Sequence, residues 1–105
     1  MAISNTRLMD TEITEVFQAV GQQIISVIYL CNTSGAPVTV NVYCVNGDNS
    51  TIGSNNNIIY SELEITANDT YVISTEKLVL DNGDQLEVQA NIADVLTVTV
   101  SSFAA

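Results

Sequence analysis

Alternation with a period of two runs through this chain, and no segment rises to the 3.6-residue period of a helix. The run Leu96 to Val100, LTVTV, is the plainest case: Leu96, Val98 and Val100 share one face of an extended strand, Thr97 and Thr99 the other. The same pattern marks strands over Ile13 to Gln18, Gln23 to Asn32, Val38 to Val45, Ile58 to Ile65, Thr70 to Ser74, Lys77 to Leu80, Gln85 to Ala90 and Val95 to Ser102. Eight short strands separated by Gly, Asn and Asp turns predict an all-β chain folded as a single antiparallel β-sandwich, jelly-roll or immunoglobulin-like in strand order. A chain of 105 residues allows one domain, 1–105, with residues 1–12 read as an N-terminal arm.

Two hairpins follow from turn chemistry. Around Asp81-Asn82-Gly83, a three-residue loop sets Leu78 opposite Leu86 and Lys77 opposite Glu87, whereas a two-residue Asn82-Gly83 turn would mix apolar and polar partners. The chain's one lysine is then a cross-strand ion-pair partner rather than a working group. Around Thr33 to Pro37, Gln23 to Asn32 and Val38 to Val45 pair with Leu30 opposite Val40.

Parity then sorts the core. Ile24, Ile28, Leu30, Val38, Val40, Val42 and Cys44 share one face, joined by Leu78, Leu86, Val88, Leu96, Val98 and Val100. Gln85, Glu87, Gln89, Thr97 and Thr99 turn outward. The reverse face of the first hairpin is apolar too, carrying Ile25, Val27, Tyr29, Tyr43 and Val45. Water alone does not favour such a face, so it is covered either within the chain or by another subunit, and tyrosine is enriched at subunit contacts.

Twelve carboxylates against Lys77 and Arg7 give a formal net charge of -10. Nucleic acids and anionic lipid heads are bound through Lys and Arg, which excludes both as partners here. No stretch approaches the roughly 20 apolar residues of a membrane span, and the opening MAISNTRLMD lacks the pattern of a secretory signal, so an intracellular origin is expected.

The chemistry-bearing inventory is short. With no histidine, Ser-His and Cys-His nucleophiles are excluded, and two cysteines cannot complete a four-thiolate zinc site. Glu62 with Glu64, and Asp81 with Asp84, are the available carboxylate pairs, but the first reads as a solvated strand face and the second as turn residues. No tryptophan is present to line a sugar groove. The expectation is a non-enzyme without cofactor or metal; Asp48, Asn49, Asp81, Asn82 and Asp84 are oxygen-rich but match no EF-hand spacing. Cys31 and Cys44 fall on opposite faces of the expected hairpin, about 20 Å apart along its strands. That is beyond the roughly 7 Å limit for bridged Cα atoms, so both read as free thiols. The loop Asn46 to Asn57, NGDNSTIGSNNN, reads as an exposed polar connection.

Three blocks, AISNTRLMDTEITEVFQAVGQQ, ISVIYLCNTSGAPVTVNVY and LEITANDTYVISTEKLVLDNGDQLEVQA, resemble small virion structural proteins of tailed bacteriophages, especially those infecting cyanobacteria. The resemblance spans nearly the whole chain apart from the Asn46 to Asn57 loop. It implies a non-enzymatic virion component, assembled in the host cytoplasm and present in many copies. Foremost among such roles is a capsid decoration or cement protein on the head exterior, with a neck, tail or baseplate accessory as the alternative. The implied partners are further copies of the chain, as a trimer, and the major capsid protein or another virion protein. Arg7, with Ile25, Val27, Tyr29, Tyr43 and Val45, is then the candidate subunit interface. A reading of another class is a carbohydrate-binding module for host attachment.

Overall fold

The computed structural model describes residues 2–47, 57–74 and 77–104. Among them are nine strands: β1 (Ala2–Leu8), β2 (Thr14–Gln18), β3 (Gln23–Asn32), β4 (Val38–Val45), β5 (Ile58–Ile65), β6 (Thr70–Ile73), β7 (Leu78–Leu80), β8 (Gln85–Ala90) and β9 (Leu96–Ala104). They form two antiparallel sheets. The first runs β1-β9-β3-β6, with β7 also on β3, and the second runs β2-β8-β4-β5. The all-β sandwich expected from the alternation is what the chain adopts.

The pairing is nested. β1 pairs with β9, β2 with β8, β3 with β6 and β7, and β4 with β5. With β6 and β7 taken as one interrupted strand, this is the order of a jelly roll, a long hairpin closed at β4-β5 whose two arms each wind back and forth between the sheets. The choice left open by the sequence is thereby made.

Winding also corrects both expected hairpins. β3 and β4 lie in different sheets, and so do β7 and β8. At Asp81 to Asp84 the amide of Asp84 donates to the Asp81 carbonyl at 3.0 Å, and Gly83 sits at φ 92°. A positive φ at the third residue alone is the geometry of a type II turn, which splays strands apart instead of matching their twist. Leu78 therefore does not oppose Leu86, nor Lys77 Glu87. Leu78 pairs with Ile25 on β3, and Lys77 Nζ donates to the carbonyls of Ser26 and Ser74, each at 3.0 Å. Ser26 is the extra residue of a bulge, where pairing to β9 steps from Ile25↔Ser102 to Val27↔Ser101. The lysine bridges the gap between β6 and β7, alongside this bulge.

The bulge corrects the core list as well. An inserted residue flips side-chain parity, so Ile25 packs into the core and Ile24, opposite Phe103, turns outward. Ile28, Leu30, Val38, Val40, Val42, Leu86, Val88, Leu96, Val98 and Val100 are all buried in the shared core as their parity requires, with Cys44 and Leu78 partly buried against it. Each fully buried aliphatic side chain contributes about 1.5 to 3 kcal/mol. The expected arm is likewise a strand for most of its length. All seven residues of β1 pair with β9, and Leu8 at its end is fully buried.

Candidate interaction surfaces

Charge divides the two sheets. The strands of the first sheet contain no carboxylate, and Arg7 is their one charged residue; those of the second carry Glu15, Glu62, Glu64 and Glu87. The outward side of the first sheet is also apolar in rows. Register places Phe103, Ile24 and Val79 side by side across three strands, and Thr99, Tyr29 and Val72 across three. Ile3, at 67 % exposure, and Val79, at 60 %, are the most open of these side chains.

Arg7 lies on the same side, opposite Thr97. Its guanidinium spends all three nitrogens locally: Nε meets Asp94 Oδ1 at 3.1 Å, Nη2 donates to the Asp94 carbonyl at 2.8 Å, and Nη1 donates to Thr97 Oγ1 at 2.9 Å. The geometry pins β1 to the turn before β9. Asp94 holds a left-handed φ of 58° there, and its amide donates to the Leu8 carbonyl.

The six residues expected as one interface are not brought together. Ile25 is in the core; Arg7, Val27 and Tyr29 lie on the outward side of the first sheet; Tyr43 and Val45 belong to the second. Tyr43 and Val45 are 5 % and 2 % exposed, so they are covered within the chain, and Tyr43 donates its hydroxyl to Gln89 Oε1 at 3.1 Å. Ile3, Val72, Val79 and Phe103 were missed as surface residues. Locating the Ser26 bulge would have revealed Ile24 and its neighbours; no local signal places β1.

The second sheet carries a polar cavity of about 440 Å³, lined by Thr11, Thr39, Asn41, Glu62, Gln89 and Asn91, with Ala90. A bulge shapes it. Ser61 and Glu62 together face Asn41, since pairing steps from Val40↔Leu63 to Val42↔Tyr60. Glu62 takes a left-handed φ of 53°, unfavourable for a side-chain-bearing residue by about 1 to 2 kcal/mol. Its amide is held by Asn41 Oδ1 at 2.7 Å, and Asn41 Nδ2 donates onward to Gln89 Oε1 at 3.3 Å.

The remaining candidates are structural. The Asp84 carboxylate accepts from the Asp81 and Gly47 amides at 2.9 and 2.8 Å, and Asp81 accepts from Gln22. Asp48, Asn49 and most of the loop Asn46 to Asn57 lie outside the described residues. Among the described residues no group of His, Cys, Asp or Glu is arranged to hold a metal ion. Cys31 and Cys44 are free and sit in different sheets. Burial, assisted by the nearby Asp84 charge, pushes the Cys44 thiol above its usual range. Comparison of the chain with protein-family models, curated proteins and solved structures found no match.

Proposed function

We propose that the chain is a non-enzymatic structural component of a tailed-phage virion, present in many copies as a decoration or cement protein on the head exterior. The observation that carries this reading is the division of charge between the sheets. A second sheet that exposes Glu15, Glu62 and Glu64, with Glu87 buried, suits solvent on the outside of a particle, and a carboxylate-free, partly apolar first sheet suits contact with protein. The jelly roll adds support by analogy alone, since viral coat subunits use this architecture and so do lectins. The partners are then other copies of the chain and the major capsid protein. Gold-labelled antibody against the purified protein, applied to particles of the encoding phage, tests the position. Labelled heads support decoration, labelled necks or tails favour the accessory role, and unlabelled intact particles overturn the virion reading.

The polar cavity favours a second reading, a carbohydrate-binding host-attachment module. Its rim presents the Glu62 carboxylate, the Asn91 carboxamide and threonine hydroxyls, groups that hydrogen-bond sugar hydroxyls. Saturable sugar binding that Glu62→Gln abolishes would carry it. Absence of binding on a glycan array would remove it.

A further inference from the structure

A two-sheet sandwich has four edges, and native proteins guard such edges against unwanted pairing. Three are guarded here. β2 has five residues, a bulge between Glu15 and Phe17, and Glu15 itself. β5 carries the Glu62 bulge and two glutamates. β6 and β7 are four and three residues long, with Lys77 filling the gap. β1 differs from them all. Its seven residues pair with β9 without a register shift, contain no proline and no carboxylate, and have no strand on their other side among the described residues.

We propose that two copies of the chain pair β1 against β1, antiparallel about a two-fold axis at Asn5, joining their first sheets into one continuous sheet. This rests on the reading of the chain as an assembling subunit, and it gives a two-fold pair where the resemblance implies a trimer. Register follows from parity. The inward residues Ala2, Ser4, Thr6 and Leu8 stay inward in both copies only if the axis passes through a residue, and full overlap of Ala2–Leu8 makes that residue Asn5. Leu8 then meets Ala2, Thr6 meets Ser4, and exposed Ile3 lies along the aliphatic stem of the other copy's Arg7, whose head Asp94 already holds.

The register is self-complementary, and charge at the edge does not oppose a second copy as the occupant. Each copy carries a formal -10, yet this edge brings no carboxylate opposite another across the new ladder. A seven-residue strand is about 24 Å long and its pairing buries less than the roughly 800 Å² per partner of a standard interface, so the association is weak and depends on concentration.

Asn5 supplies the test. Its Oδ1 accepts from Thr99 Oγ1 at 2.9 Å, so Asn5→Asp keeps an oxygen there and preserves the fold while setting two carboxylates face to face. Light scattering over a dilution series is expected to show the wild type rising from one to two chains, and both Asn5→Asp and Asn5→Lys weakened at least tenfold. An equimolar mixture of the two variants should recover the pair. A wild type monomeric at every concentration, a three-chain mass, or an Asn5→Asp variant that associates like the wild type overturns the proposal. So does loss of association in Val79→Asp but not in Asn5→Asp, which would assign contact to the sheet face. Gold labelling separates the two readings: a solution monomer that still labels heads defeats only the pairing, and a pair absent from particles defeats only the virion assignment.

Discussion

The carboxamide oxygen of Asn32 accepts two bonds from Ser34, one from its amide at 3.0 Å and one from its hydroxyl at 2.8 Å. Asn32 is fully buried, and its Nδ2 faces the carbonyls of Ala36, Ile65 and Thr66 at 2.8, 3.2 and 3.2 Å. One side chain thus closes the turn after β3 and ties it to the end of β5 in the opposite sheet. This is where the chain crosses between layers.

Replacing Asn32 by alanine removes the donor that the buried Ile65 carbonyl shares with those of Ala36 and Thr66, and the Ala36 carbonyl keeps a bond from the Ser34 hydroxyl at 2.8 Å. A loss of about 1 to 3 kcal/mol is expected, read as a lower urea midpoint at unchanged m-value. Asn32→Asp sets a carboxylate against three carbonyl oxygens, which raises the new group's folded pKa. Its folded state is therefore least disfavoured below the normal carboxyl range and loses stability as pH rises through it. A variant as stable as the wild type at pH 7 would show that the crossing is held elsewhere.

Gly47 is fixed by proximity. A Cβ there would stand 2.5 Å from the Gly83 carbonyl carbon and 2.9 Å from the Asp84 nitrogen, both backbone atoms with little room to move. Gly47→Ala should cost about 1 to 3 kcal/mol. Gly35→Ala, with nothing within 4 Å, should be neutral or stabilising by about 0.4 to 1 kcal/mol. Thermal melts should show Gly47→Ala below the wild type and Gly35→Ala at or above it.

Glu62→Gly removes the left-handed strain in β5 and should stabilise the fold by about 1 kcal/mol. Asn41→Ala should do the reverse by about 0.5 to 1.5 kcal/mol, because it removes the acceptor that holds the exposed Glu62 amide in place. Chemical denaturation of both variants checks the pair. Should Glu62→Gly destabilise, the glutamate side chain would be contributing more than its backbone strain removes.

Cys44 should alkylate more slowly than Cys31 at pH 8, because the thiolate is the reacting species and burial disfavours it. Peptide mapping after a timed exposure to iodoacetamide reads the order. The same shift has a consequence for stability: a thiol whose folded pKa is raised contributes fully below its unfolded value, and that contribution is lost as pH rises toward the folded one. Cys44→Ser should flatten the alkaline decline.

Strand extents were legible because alternation is local. β3, β4, β5 and β8 occupy the spans the pattern marks. Partnership was not, since adjacent strands form hairpins only when the turn matches their twist; the type II turn at Gly83 and the buried Asn32 both direct the chain to the other sheet. β1 was missed because its inward positions hold Ala2, Ser4 and Thr6, so the strand shows little apolar signal before Leu8. Of the candidate surface, Tyr29 and Val27 were visible from parity. Ile3, Val72 and Val79 needed the sheet order, and the cavity at Glu62 needed a bulge that no glycine announces.

The proposed virion role is decided by quantitative mass spectrometry of gradient-purified particles of a tailed phage whose genome encodes the chain. The chain is expected to stay with the particles through the gradient at a copy number on the scale of the major capsid protein. Its absence from particles that are otherwise complete and infectious would contradict it.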